Sequence, residues 1–286
     1  MTRSRLRLGI SSHAFRWAAG WCDVVSSGRM SIARFIDQSL SIPGVEGVQI
    51  CDNIGAHRLA QPGEDRRKVE EAVARGFFVE LGAAGTEPAH LEALLRLSGE
   101  LAADVLRVLP SARRDERGEA EKQDLDKAER DLREVLPTAR GLGVRLALEN
   151  HWEVPSQALL ELVTRINDEH LGICLDTANP VCGGEDPLRT TELLAPYAIN
   201  VHLKDFRATR DLTRDPAGYR IIGVAFGEGW LPAEAVIDVI QSKSPAQTFH
   251  VELFLDRAET EPETLARERG AVRRSVENAR RLLGLC

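Results

Sequence analysis

No apolar run in this 286-residue chain approaches the roughly 18 residues needed to span a bilayer. The N-terminal Met1-Thr2-Arg3-Ser4-Arg5 leads directly into a strand pattern, with no secretory apolar region. A cytoplasmic protein with no membrane partner is therefore expected. Cysteine is sparse and unpatterned: Cys22, Cys51, Cys174, Cys182 and Cys286 are odd in number, widely spaced and lack a C-x-x-C pair. That argues against a disulfide framework and against a thiolate zinc site; Cys174, inside an apolar run, reads as a small buried hydrophobe. Positive charge is not in excess. The net charge is −7, so no global basic field draws in nucleic acid. Arg113-Arg114 and Arg280-Arg281 are interleaved with acids, as on solvated helix faces. A P-loop pattern is also missing, although the loop from Gly82 to Gly85 could approach a phosphate.

What the chain does have is alternation. Strand patterns at 6–11, 47–51, 77–81 and 104–109 are followed by runs ending at Glu149, Asp176 and near Lys204, and by 249–254. Helical patterns fall between them, one capped by Ser31 and one opened by Pro88. The last helix carries Leu265, Val272, Val276, Ala279 and Leu283 on one face. The charged 111–123 stretch reads as loop or frayed helix, and Pro137 as a kink. Residues 206–229 read as a long loop overhanging one end of the fold. Eight repeats without a linker predict a single (β/α)8 TIM barrel domain over 1–286, ahead of a doubly wound sheet.

Three apolar runs close on residue types that bind metals: Leu146-Ala147-Leu148-Glu149, Ile173-Cys174-Leu175-Asp176 and Ile199-Asn200-Val201-His202. A fourth, Phe249-His250-Val251, closes on Glu252. Such endings suit the C-terminal mouth of a parallel barrel, where strand ends meet. Residues i and i+2 share a strand face, so Asn200, His202 and Lys204 should point inward together. By the same count Glu149 pairs with His151, Cys174 lies beneath Asp176, and His250 lies beneath Glu252. Carboxylates gathered there are penalised by desolvation unless a divalent cation neutralises them. Three oxygen donors and one nitrogen favour one Mn²⁺ or Mg²⁺ ion, with Co²⁺ or Zn²⁺ also admissible. The plain alternative is four unrelated polar residues that cap helices or pair with arginines.

The ordered set Leu148-Glu149-Asn150-His151, Leu175-Asp176-Thr177-Ala178-Asn179-Pro180, Val201-His202-Leu203-Lys204-Asp205 and Val251-Glu252 resembles the xylose isomerase-like TIM barrel superfamily, the sugar phosphate isomerase/epimerase family. The superfamily includes sugar isomerases and epimerases, inosose and 3-dehydroshikimate dehydratases, and apurinic endonucleases. The resemblance implies that Glu149, Asp176, His202 and Glu252 are metal ligands. It further implies a metal-dependent isomerase or epimerase acting on a keto-sugar or related polyol through an enediolate. A metal-polarised carbonyl acidifies the neighbouring C–H, and the epimerase branch implies Glu149 and Glu252 as the base and acid. Two positions depart from the ketose 3-epimerase pattern. Asn179 stands where that branch resembles a histidine, and Ala208, with Arg207 beside it, where it resembles an arginine. Asn179 can hydrogen-bond a sugar hydroxyl or serve as an Asn-Pro turn residue, and Arg207 is a candidate substrate contact.

The Glu149-Asn150-His151 run also resembles the dehydratase and lyase branch, which makes His151 a rival general base. There a β-hydroxyl or β-glycosyl group would leave, with Lys204 stabilising the enolate or protonating the leaving oxygen, unless Lys204 merely pairs with Asp205. His13, after the first strand, could line the mouth and contact substrate. Glu80 either reaches substrate or pairs with Arg107. His250 is expected to be hydrogen-bonded in the interior, and His57, His90 and His170 to face solvent. Trp17, Trp21, Trp152 and Phe206 could stack on a sugar ring. Too few of the seven histidines fall at strand ends for the multi-zinc sites that the apurinic endonucleases resemble, so nucleic acid is not an expected partner. A small sugar or polyol is; a homo-oligomer and a non-catalytic sugar-binding barrel both remain compatible.

Overall fold

The computed structural model describes residues 5–20, 28–110, 122–213 and 218–285. Trp21, Cys22, Arg113, Arg114 and Cys286 lie outside the described residues, as does most of the charged 111–123 stretch. Eight parallel strands close into a barrel: β1 (Arg7–Ser11), β2 (Gly47–Cys51), β3 (Phe78–Ala84), β4 (Val105–Leu109), β5 (Arg145–Glu149), β6 (Leu171–Asp176), β7 (Ala198–Leu203) and β10 (Thr248–Val251). β10 seals the ring between β7 and β1. Around it run α1 (Ile32–Leu40), α2 (Glu64–Ala74), α3 (Pro88–Glu100), α4 (Lys122–Leu142), α5 (Ser156–Ile166), the one-turn α6 (Asn179–Cys182), α7 (Pro187–Leu194), α8 (Ala233–Lys243) and α9 (Glu261–Leu283). The (β/α)8 expectation is met. Strands covered on both faces must be apolar along most of their length, and every residue of β2, β6 and β7 is buried. Among the described residues, no helix is long and apolar enough to cross a membrane.

Local chemistry sets the helix ends. The Ser31 side chain caps α1 by accepting from the Arg34 N–H. Thr260 and Glu263 form a capping box that opens α9, and Gly284, at φ 70°, ends it. Along α9 Val272, Val276, Ala279 and Leu283 are buried as their spacing predicts, but Leu265 is only half-buried. Thr264 and Glu268 take inner positions instead. The Glu268 carboxylate accepts the Trp17 N–H at 2.8 Å and the Ala18 N–H at 3.2 Å, tying the segment after β1 to the last helix.

Burial pushes the Glu268 carboxyl up to about 7. A carboxyl raised on folding binds a proton that the unfolded chain releases near pH ~4.3. This group therefore lowers stability as pH rises from that value toward the folded one. Glu268→Gln should flatten the slope, which is worth at most about 4 kcal/mol. Urea melts at pH 5 and pH 7.5 read it, and an unchanged slope in the variant would contradict the assignment.

Among its described residues, the 206–229 segment is mostly strand rather than loop. It forms an antiparallel hairpin of β8 (Asp205–Asp211) and β9 (Gly218–Val224), paired from Asp205 opposite Val224 to Asp211 opposite Gly218. Both faces of this ribbon are largely open beyond Phe206, so its sequence carries no apolar alternation to announce it. Asp205 fastens the base by accepting the N–H groups of Phe206, Gly227, Gly229 and Leu231 at 2.7 to 3.0 Å. Only glycine fits at 229, where a Cβ would stand 2.1 Å from Asp205 Oδ1. The Gly82–Gly85 loop is also revised. β3 continues to Ala84, and Gly82 gives room to Cys51 of β2, whose Sγ would lie 2.4 Å from an added Cβ.

Candidate metal centre

Glu149 and Asp176 are the last residues of β5 and β6, His202 is the penultimate residue of β7, and Glu252 directly follows β10. One donor atom from each lies within 4.8 Å of the others, and all four residues are buried. His202 Nδ1 is 3.1 Å from Glu252 Oε2 and 3.7 Å from both Glu149 Oε2 and Asp176 Oδ2. Asp176 Oδ2, His202 Nδ1 and Glu252 Oε2 are buried without a hydrogen bond. Three buried atoms without a hydrogen bond, of which Asp176 Oδ2 meets the Lys204 ammonium at 2.8 Å, converge on one point and fit a cation, since buried polar atoms are otherwise satisfied. Cys174 lies close enough to form a set with Glu149 and His202. Burial raises its thiol well above the ordinary range, however, so it stays protonated and the carboxylate–imidazole set is the better cation site.

The carboxylates are aimed by their neighbours. Asp176 Oδ1 accepts the Ala178 N–H at 2.9 Å and the Asn179 N–H at 2.8 Å, which turns Oδ2 inward. Asn150 extends the β5–β6 seam beyond the strand end: its Oδ1 accepts the Asp176 N–H at 2.7 Å and its Nδ2 donates to the Asp176 carbonyl at 3.0 Å. Asn179 opens α6, and its Nδ2 donates to Glu149 Oε1 at 2.8 Å and to the Asn150 carbonyl at 3.1 Å. Its amide thus reaches the four-residue cluster directly.

Two buried cations enter the same group. Lys204 Nζ lies 2.8 Å from Asp176 Oδ2, 2.6 Å from Glu252 Oε1 and 4.0 Å from Glu149 Oε1. Arg107, from the middle of β4, grips Glu149 Oε2 through Nε and a terminal nitrogen. The alternative pairs, Lys204 with Asp205 and Arg107 with Glu80, are not what forms. Burial would raise Glu149, but the Arg107 guanidinium, His202 and Lys204 outweigh it and hold the carboxyl well below the usual range. Burial also opposes ionisation of Glu252, and Lys204 and His202 likewise overcome it. Asp176 moves up, because burial and the neighbouring Glu149 and Glu252 charges outweigh Lys204. Burial disfavours the Lys204 ammonium, yet the three carboxylates hold its pKa well above that of an ordinary lysine.

Other candidates lie in varied places. His13 is half-buried at the mouth; burial lowers its pKa to about 4, against the pull of Glu252, so it is neutral near pH 7. β5 ends at Glu149, so strand alternation does not extend to His151. The His151 Nδ1 meets Glu153, its ring packs at a 35° tilt against Trp152 with 3.5 Å between centroids, and it lines a cleft of about 240 Å³ with Ser156, Pro180 and Glu185. Arg207 is exposed on the hairpin and donates to the Glu228 carbonyl at 3.0 Å, outside the four-residue cluster. Trp17 is buried and donates from Nε1 to the Leu255 carbonyl at 2.9 Å, and Phe206 is packed in the core. Glu80 sits below the mouth, bonded to Gln49, Asn200 and Thr248. His250 is buried but not hydrogen-bonded, contrary to expectation; its ring packs edge-on against Phe78 and His202. The sequence places Arg107 only as a partner for Glu80 and gives Asn150 and Gln49 no role at the site. Arg107 carried the same signal as Glu149, a charge within the apolar run Val105-Leu106-Arg107-Val108-Leu109.

A family model described as xylose isomerase-like TIM barrel matches residues 84–276. The 3-oxo-isoapionate decarboxylase of Pectobacterium atrosepticum is 30% identical over 240 residues, covering 82% of this chain and 81% of that protein. Two solved structures share the fold. A D-psicose 3-epimerase in the presence of D-fructose aligns over 98% of this chain and 100% of its own, with TM-score 0.69 and 14% identity. A xylose isomerase-like TIM barrel protein from Mycobacterium smegmatis in complex with magnesium covers 96% of this chain and 97% of its own, with TM-score 0.69 and 13% identity.

Proposed function

Because the chain belongs to the xylose isomerase-like TIM barrel family, we propose that it is a divalent-metal-dependent lyase that decarboxylates a sugar-derived 3-oxo acid. The observation that carries this reading is Lys204, whose ammonium lies 2.8 Å from Asp176 and 2.6 Å from Glu252 inside the ligand group. Epimerisation needs Glu149 and Glu252 as free proton carriers. Here Arg107 and Asn179 occupy Glu149, and Lys204 and His202 occupy Glu252. Decarboxylation takes no proton from carbon, so it needs an electron sink and a proton donor instead. Charge points the same way. Three carboxylates against Lys204 and Arg107 leave one negative charge, and a divalent cation turns that into one positive charge. A substrate carboxylate then balances it.

The ion would be held by Glu149, Asp176, His202 and Glu252, with Mg²⁺ or Mn²⁺ suited to the oxygen-rich set, and when bound it supplies Lewis-acid polarisation of the 3-oxo group. The bond to the carboxylate carbon breaks, CO₂ leaves, and its electron pair becomes that of an enolate. Lys204 Nζ donates a proton to the enolate carbon and regains one from water. Arg107 and the Asn179 amide hold Glu149 in place, and the Asn179 N–H and the Asn150 side chain position Asp176. The neutral, half-buried His13 offers the substrate hydroxyls a polar contact at the rim.

The test is a panel of 3-oxo sugar acids and neutral keto-sugars in heavy water with Mg²⁺ or Mn²⁺. Stoichiometric CO₂ release with one solvent deuteron in the product is expected. Deuterium wash-in to neutral keto-sugars without CO₂ would favour the epimerase reading, and an enone product would favour a dehydratase using His151. Metal should also stabilise the fold, by about 2.7 kcal/mol at a hundredfold excess over Kd. Equal melting temperatures with Mg²⁺ and with chelator would remove the metal from the proposal.

A further inference from the structure

Below the cation site, Glu80 is 2% exposed and ties four strands together. It stands beside Gln49 in the β2–β3 register. Its carboxylate accepts from Thr248 Oγ1 at 2.6 Å, Asn200 Nδ2 at 2.9 Å and Gln49 Nε2 at 3.2 Å. An ionised carboxylate only accepts. Glu80 therefore decides which end of the Gln49 amide faces it: the NH₂ turns to Glu80 and the oxygen turns away. That oxygen lies 2.9 Å from His202 Nε2. An amide oxygen cannot donate, so Nε2 must carry the proton. The flipped amide would set its oxygen against the Glu80 carboxylate, two acceptors face to face. With the proton on Nε2, the lone pair of a neutral His202 is on Nδ1, which has no hydrogen-bond partner and lies 3.1 Å from Glu252 Oε2.

We propose that Glu80 is a positioning residue that acts through Gln49 to lock His202 in the tautomer whose Nδ1 binds the cation. The proposal rests on the metal reading above. In the other tautomer an N–H would point at the ion, and the imidazole would be lost as a ligand. Partners of this kind typically change metal affinity ten- to a hundredfold. Glu80 lies beneath the ligands rather than at the mouth, so its effect falls on metal binding and leaves KM for substrate unchanged once the metal is saturating.

Calorimetry with Mg²⁺ and Mn²⁺ tests the lock, together with the His202 Nε2–H resonance of the metal-free protein. Glu80→Gln should weaken metal binding about ten- to a hundredfold and shift or abolish that resonance, because an amide at 80 frees Gln49 to turn over. Exchanging the pair, Gln49→Glu with Glu80→Gln, returns an acceptor-only group to Nε2–H and keeps the buried charge. It should recover wild-type affinity, which separates a lost lock from a damaged fold. Wild-type affinity with an unchanged resonance in Glu80→Gln overturns the proposal, as does an exchange variant no tighter than the single one. If the wild-type protein binds neither ion, the metal reading fails by itself. The lock is then judged on the resonance alone, which must be present in wild type and lost in Gln49→Leu.

Discussion

Lys204→Met is expected to lower kcat for 3-oxo acid decarboxylation by about a hundredfold or more, the usual scale for a lost general acid. Methionine keeps length and apolar bulk but has no proton to give. KM should rise, because the variant removes the positive charge that the substrate carboxylate balances, whereas metal binding should tighten, because a cation 2.8 Å from Asp176 and 2.6 Å from Glu252 is gone. These opposite movements distinguish a chemical role from a structural one. Without metal, the variant leaves two buried carboxylates short of a partner, a loss on the order of 3–5 kcal/mol for a broken buried pair. Saturating Mg²⁺ should recover much of it. Turnover of Lys204→Met at the wild-type rate, with metal bound, would sink the role given to this lysine.

Arg107→Met should be strongly destabilising. Glu149 is 0% exposed, and Arg107 is the guanidinium that offsets its charge. Removing it strands a buried carboxylate, at a cost of about 3–5 kcal/mol in the metal-free protein. The pH dependence has a definite sign. In wild type the folded carboxyl is held below its unfolded value of about 4.3, so its contribution is present above that pH and fades as pH falls through the folded value. In the variant, burial acts without the guanidinium, and Glu149 relieves the penalty by taking a proton. The gap between the two proteins should be widest near neutrality and narrow on acidification. Urea melts at pH 7 and pH 4 measure it, and equal midpoints at pH 7 would show that Glu149 draws its compensation from elsewhere. Added Mg²⁺ should narrow the gap as well, since a bound cation offsets the same charge.

Much of the mouth was legible because a charge that closes an apolar strand is visible in one dimension. Glu149, Asp176, His202 and Glu252 each end such a run, and the structure brings all four together. The hairpin was not legible, because its open faces impose no period-two pattern and the Asp205 turn that builds it uses backbone N–H groups from residues 206–231. Asn179 was ambiguous because turn residue and ligand clamp share the same residue type. His151 was assigned a face by extending strand alternation past Glu149, where the strand had already stopped.

Hydrophobic periodicity and strand-end residue types by themselves determined the barrel and the four-residue cluster, since both are properties of local spacing. Tertiary structure alone decided which charges meet. Arg107 reaches Glu149 from a neighbouring strand, Lys204 turns to Asp176 and Glu252 rather than to the adjacent Asp205, and Glu80 reaches His202 through Gln49. Coulomb energy and hydrogen-bond geometry depend on distance across the barrel, and separation along the chain does not encode that distance.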